Sequence, residues 1–303
     1  MSLRIEVMLM QLGDALKLIR TNKGLSQSKI ASGIISTSFY SKVEKNLSNI
    51  STELLFKLLE QLNISLDEFW YIYNDYSLGE KEELTNKCKQ IYLEGNINEL
   101  IDMKDEVDNI YEETQKKFYQ RLSIVLYCAI QNVKSESYDD KIVEPLKQYL
   151  LSINTWGYYE IKLFGICILV LEMDINTLLL LANQLLNNLR FYSDLQTYEK
   201  EIITVLIRIV ETCLNNDRLE EADYYLNIAK RKLTTLNLMF EKNLLEFLSG
   251  ISLMQNGNVI EGKKMAVKSI DIFKVLNMKV SADKYEKYFK KKLYTVEQNI
   301  NNY

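Results

Sequence analysis

The chain has 303 residues, with 37 Lys and Arg against 41 Asp and Glu, a net charge of −4. It contains no histidine, which removes histidine general bases, Ser-His-Asp and Cys-His catalysis and every imidazole zinc site. Ten glycines and a single proline, Pro145, leave it poor in turn formers, so many short strands are disfavoured and helices favoured. The length suits two domains, or a small domain followed by a long array. Cys88, Cys128, Cys167 and Cys213 form no C-x-x-C pair, so they read as small core hydrophobes of a reduced protein rather than zinc ligands. The first sixteen residues are interrupted by Arg4, Glu6 and Asp14, unlike a signal peptide. The longest apolar stretches, such as 163–171, fall short of the ~20 residues that span a bilayer. These features predict a cytoplasmic protein with no membrane partner. There is no glycine-rich phosphate loop, and no cofactor is expected. Charge is uneven: residues 1–50 carry seven basic and three acidic side chains, net +4, which leaves −8 for the rest. A basic head on an acidic body suggests that the head meets a polyanion.

The head reads as five short helices. In 12–22, Leu12, Leu16 and Ile19 share one face and Gly24 closes the segment. Ser26 caps a short helix, QSKIAS, that ends at Gly33, and Ser36 caps a third, TSFYSKVEKN, with Tyr40 and Val43 inward. Asn46 follows, a residue that tolerates the left-handed conformation. Ser51 caps a fourth helix, TELLFKLLEQL. Ser65 opens a fifth, LDEFWYIY, with Asp67 and Glu68 in its first turn. The second and third helices, joined by a tight turn, follow the helix-turn-helix plan.

Over LSQSKIASGIISTSFYSKVEKNLSNIS the sequence resembles the helix-turn-helix of phage-repressor-like (XRE-type) regulators, through Gln27, Ala31, Ser36 and the run Tyr40-Ser41-Lys42-Val43-Glu44. The resemblance implies that Arg20 of the first helix pairs with Glu44 of the third. Two departures stand out: the turn between the second and third helices is one residue short, and Asn46 stands where glycine is usual. The short turn, the serines Ser36, Ser38 and Ser41 before Lys42, and the pattern from Ile50 to Phe69 are similar to the Rgg/MutR group. A third helix in the major groove presents its N-terminal end to base edges. Thr37, Ser38 and Lys42 are therefore the base-reading candidates, and Gln27, Ser36 and Lys45 the phosphate candidates. Ser36 is a cap in any case, and Phe39 meets either a thymine methyl or its own domain.

The helical pattern breaks around Tyr76–Gly79, dividing a head, 1–76, from a body, 77–303. Polar breaks then recur at Asn96, Tyr138, Asn176, Asp217 and Gly257, in steps of 42, 38, 41 and 40 residues, with room for two helices in each step. The last two units align at an offset of 40: Leu219 with Val259, Ala222 with Gly262, Leu233 with Phe273, and Leu236-Asn237-Leu238 with Leu276-Asn277-Met278. The small residue lets paired helices approach closely. The cysteines echo the period, which points to a repeated buried slot. The expected fold is all-α: a five-helix helix-turn-helix domain, then a right-handed, tetratricopeptide-like α-solenoid of about five helix pairs plus a terminal helix, 281–298.

The Rgg resemblance implies the same body, through WGYYEIKLFG (156–165) and YEKEIITVLIRI (198–209). It further implies a short secreted peptide on the concave face, held by asparagines where this chain has Ile166 and Arg208. By helix phase and chemistry the inner-face candidates are Tyr159, Lys162, Arg208, Glu211, Asn243 and Glu246. Arg208, in the apolar run VLIRIV, has Glu211 one turn on as a structural partner. The leading expectation is a dimeric transcription regulator that binds a double-stranded operator and is controlled by a signalling peptide. The alternatives are a ligand-independent dimeric regulator and a helical-repeat adaptor that binds no DNA. No enzyme is expected: Glu220 and Glu221 sit at a helix start, and Lys290–Lys292 read as a solvated face.

Overall fold

A computed structural model of the chain describes residues 10–171, 173–188, 195–233 and 237–301. Arg4, Glu6 and Leu236 of the sequence reading lie outside the described residues. Among the described residues there are sixteen helices and no strand, so the protein is all-α. The chain divides into two compact units, Met1–Thr114 and Gln115–Tyr303.

The first unit opens with α1 (Leu12–Asn22), α2 (Gln27–Ala31), α3 (Thr37–Glu44), α4 (Thr52–Leu62) and α5 (Leu66–Tyr73). Serine starts the last four. Ser26, Ser36, Ser51 and Ser65 accept hydrogen bonds from the backbone N–H of Lys29, Phe39, Leu54 and Glu68. Each cap satisfies one donor that has no partner within its helix. Gly33, at φ +74°, makes the turn between α2 and α3. Leu16, Ile30, Tyr40, Leu58 and Leu62 form the fully buried centre of the core, and Phe39 packs against it. At Gly13, α1 meets the end of α3: a Cβ there would lie 2.0 Å from the Val43 carbonyl oxygen. Asn46 ends α3 at φ +58°. Its side chain accepts from Gly13 N at 2.8 Å and donates to Asp14 Oδ2 at 3.0 Å. Asparagine thus tolerates the backbone that glycine usually supplies and also ties α3 to α1. The hairpin α6 (Glu80–Glu94) and α7 (Ile97–Thr114) completes the unit.

The second unit holds α8 (Lys117–Lys134), α9 (Asp140–Ser152), α10 (Tyr158–Val170), α11 (Ile175–Asn188), α12 (Gln196–Asn215), α13 (Leu219–Lys232), α14 (Met239–Gln255), α15 (Val259–Val275) and α16 (Lys279–Asn301). The helices come in pairs whose first members begin at 117, 158, 196 and 239, with α16 beginning at 279. The chain turns at the polar breaks read from the sequence. Each first helix packs against its own second helix, and α8, α10, α12, α14 and α16 also pack one on the next in an unbroken row. In a stacked array the helices in continuous contact lie at the smaller radius, so this row is the inner layer. Cys88, Cys128, Cys167 and Cys213 fall on α6, α8, α10 and α12, and all are free and buried. Burial pushes the thiols of Cys88, Cys128 and Cys213 up to about 12, which makes them packing groups rather than nucleophiles.

The Ala222–Gly262 correspondence has a packing basis. Ala222 is fully buried. A Cβ on Gly262 would lie 2.4 Å from the Gly250 carbonyl oxygen, and one on Gly250 would lie 2.7 Å from that of Gly262. The α14 and α15 backbones therefore meet directly at this pair. Among the described residues no helix is long and apolar enough to cross a membrane.

Candidate nucleic-acid interface and inner helix row

In the head, Tyr40, Val43 and Glu44 of α3 face inward. Arg20 Nε donates to Glu44 Oε1 at 2.5 Å and Nη2 donates to Oε2 at 2.9 Å, while Nη1 donates to the Leu25 carbonyl oxygen at 2.7 Å. Gln27 Nε2 adds a 2.6 Å bond to Glu44 Oε2. Glu44 is only 2% exposed, so these bonds replace its water. Burial by itself raises the carboxyl, but the hydrogen bonds from Arg20 and Gln27 outweigh it and hold Glu44 below its ordinary value. The cluster fixes α1, α2 and α3 relative to one another, and it engages the Gln27 amide nitrogen that the sequence reading assigned to phosphate.

The opposite face of α3 points to solvent. Ser38, Lys42 and Lys45 are exposed and follow the i, i+4, i+7 spacing of one helix stripe, with Thr37 exposed at its N-terminal end. Ser36 is exposed too, but its hydroxyl caps the helix and lies 3.2 Å from the Ser38 hydroxyl. The head thus presents Lys42 and the hydroxyls of Thr37 and Ser38 on α3, with Ser36 and Lys45 at its two caps and a buried ion pair behind it.

The inner-row candidates separate into two sets. Lys162 of α10 places its ammonium 5.1 Å from the centre of the Tyr158 ring, which lies 5.1 Å from the Tyr198 ring of α12. Arg208 of α12 donates to the Gly165 carbonyl oxygen of α10, and a Cβ on Gly165 would press against Val205 of α12 at 3.0 Å. Glu211, one turn on, faces Lys284 and Tyr285 of α16. Tyr159 instead turns toward α8 and α9: its ring lies 6.0 Å from Phe118 and 6.5 Å from Tyr149. The Arg121 guanidinium sits 3.4 Å over the Tyr149 ring, a stacked cation that the sequence reading missed. Asn243 is buried and donates to the Ser269 carbonyl oxygen of α15 at 2.9 Å. Glu246 pairs with Lys230 of α13 at 3.2 Å. These two α14 residues face the second helices, not the inner surface. Lys292, read as part of a solvated run, is 8% exposed and donates to the Leu214 carbonyl oxygen at 2.5 Å.

Comparisons with known proteins agree with this architecture. A helix-turn-helix family model matches residues 16–69. The model for the C-terminal domain of the HTH-type transcriptional regulator Rgg matches residues 104–287. A Listeria monocytogenes EGD-e protein described as a transcriptional regulator superposes with a TM-score of 0.84 at 22% identity, over 95% of this chain and 98% of that one. A cysteine-to-serine variant of the Streptococcus dysgalactiae SHP pheromone receptor Rgg2 gives 0.78 at 23% identity, over 93% and 99%. PrgX in complex with cCF10 gives 0.71 at 21% identity, over 93% and 99%. At these identities the superpositions speak for the fold. The C-terminal match alone spans more than half of the 303 residues, and on that match the chain belongs to the Rgg family of HTH-type transcriptional regulators.

Proposed function

We propose that the chain is a sequence-specific DNA-binding regulator that acts as a homodimer under the control of a short signalling peptide. The observation that carries the DNA reading is the outward face of α3, with Ser38, Lys42 and Lys45 exposed on one stripe and Thr37 at its tip. Lys42 donates to guanine O6 and N7, Thr37 and Ser38 read neighbouring base edges, and Lys45 and Ser36 lie toward phosphates, while Gln27 acts by bracing Glu44 behind α3. Residues 1–76 carry this activity, and 77–303 carry dimerisation and sensing. The peptide lies on the inner row near Lys162, Arg208 and Glu211. Support for this part comes from two structural neighbours, one an SHP pheromone receptor and one complexed with cCF10. On this reading the protein works in the cytoplasm, where its DNA lies.

Selecting duplexes from a random pool with the full-length protein gives the site. Lys42→Ala then weakens binding to it by about 1–3 kcal/mol, read by fluorescence anisotropy. Unchanged binding in both Lys42→Ala and the Thr37→Ala/Ser38→Ala double variant overturns the docking. For the sensing half, synthetic peptides encoded by small reading frames beside the gene are titrated into the protein. One of them raises the unfolding temperature or shifts operator affinity, and Arg208→Ala removes the effect. If none does so, the ligand-independent reading takes its place.

A further inference from the structure

Where α8, α9 and α10 meet, a cation and three rings come together. Arg121 stands one turn after Phe118 on α8. Its guanidinium carbon lies 3.4 Å from the centre of the Tyr149 ring of α9 and 5.8 Å from that of Tyr159 of α10. Phe118 adds a third ring, 6.0 Å from Tyr159. A guanidinium this close to a ring centre is stacked on it, which holds the side chain in place by its apolar face.

The carboxylate of this group does not neutralise the cation. Glu160 of α10 accepts from Tyr149 Oη at 2.5 Å through Oε1 and from the Gly157 N–H at 2.9 Å through Oε2. Burial and Glu160 together push the Tyr149 hydroxyl up to about 12, so the phenol stays a donor and Glu160 stays engaged. Among the described residues no carboxylate pairs with Arg121; its neighbours are the rings and the Tyr159 hydroxyl. Arginine carries five N–H donors in one plane, and stacking covers the face of that plane while leaving its edge. Arg121 is half-buried, so an anion at that edge meets a charge less screened than one in open water.

We propose that Arg121, stacked on Tyr149 and flanked by Tyr159 and Phe118, is the receptor for a carboxylate carried on an apolar ligand, taken edge-on as a bidentate pair. A carboxylate fits better than a phosphate: one guanidinium balances one charge, the rings offer apolar surface to the carbons beside it, and the neighbouring Glu160 opposes a dianion. The site is separate from the Lys162, Arg208 and Glu211 set, because its rings belong to α8, α9 and the Tyr159 side of α10. Under peptide control the carboxylate is the free C-terminus or an acidic side chain of the peptide; that choice of source rests on the sensing reading, and the site does not.

Three small probes test it on the full-length protein. N-acetyl-leucine carries a terminal carboxylate, N-acetylaspartic acid α-amide carries one on a side chain, and N-acetyl-leucinamide carries none. NMR reads the Arg121 Nε–H resonance, assigned by its loss in Arg121→Lys. A saturable shift is expected with at least one carboxylate and not with N-acetyl-leucinamide, and the carboxylate that binds more tightly names the source. Arg121→Lys keeps the charge without the fork, and Tyr149→Leu keeps the fork without the stack. Each is expected to weaken binding by about tenfold or more, read at the Tyr159 ring protons. No saturable shift with either carboxylate, an equal one with N-acetyl-leucinamide or inorganic phosphate, or full affinity in Arg121→Lys would each overturn the site. If no candidate peptide acts on the protein while N-acetyl-leucine still binds through Arg121, the sensing reading falls and the carboxylate site stands.

Discussion

Glu44 shows what a buried charge does in the head. Its two oxygens take three hydrogen bonds from Arg20 and Gln27, and the guanidinium takes a further acceptor at Leu25. Removing Arg20 strands the carboxylate, so Arg20→Ala is expected to destabilise the head by about 3 kcal/mol. Trp70 emission in a Trp156→Phe background reports that transition, because each unit holds one tryptophan. The same pair sets an acid limit. Glu44 is lowered in the folded state, so its stabilisation is present above the ordinary carboxylate value of 4.5 and is lost as pH falls through the lower folded value. Thermal melts of the head should therefore fall in temperature below about pH 4.5, and less steeply in Glu44→Gln.

At the scale of elements, most helices were legible because their boundaries are written in caps. The four serines fix four starts to the residue, and α1, α4 and α5 begin and end where periodicity and capping place them. The repeat was legible for a related reason: polar breaks, cysteines and one small residue recur at the same step. The rotation of each helix about its axis was not legible. Asn243 and Glu246 lie on α14, but the packing of α14 against α13 and α15 turns both toward the second helices. Lys292 was hidden within three consecutive lysines, where only the aromatic spacing of Tyr285 and Tyr288 marks the buried face. The Gly250–Gly262 contact carries a sharper expectation. Gly262→Ala adds a methyl that is native at Ala222, yet here it meets backbone at 2.4 Å. Its cost is expected to be about 2–3 kcal/mol, the range for overpacking, despite the better helix propensity of alanine. Denaturant unfolding measures it, and a neutral or stabilising result would contradict the close approach.

For the molecule as a whole, the acidic body divides further. Residues 259–303 carry ten lysines and five acidic side chains, whereas 51–258 carry twenty basic and thirty-three acidic ones. The basic segment also bears exposed apolar side chains: Ile260 and Val280 are 86% exposed and Val275 is 80% exposed. Beside Val275 is a cavity of about 500 Å³ lined by Met239, Val267, Ile272, Val275 and Leu276, with Lys264, Lys268 and a single acidic residue, Asp271, among its walls. Grouped exposure of this kind marks a protein interface. If two copies meet through this face, lysines oppose lysines, so the homodimer should tighten as salt is added and repulsion is screened. Sedimentation across a salt series measures this, with Val275→Asp/Val280→Asp expected to leave monomer. A dimer indifferent to both salt and substitution would place the interface elsewhere. The glycine contact between α14 and α15 bears on how such an assembly responds to a change on the inner row. Where two backbones touch directly, no side chain lies between them that could change rotamer and absorb a shift. A displacement of α14 is therefore expected to carry α15, and with it the exposed face, along.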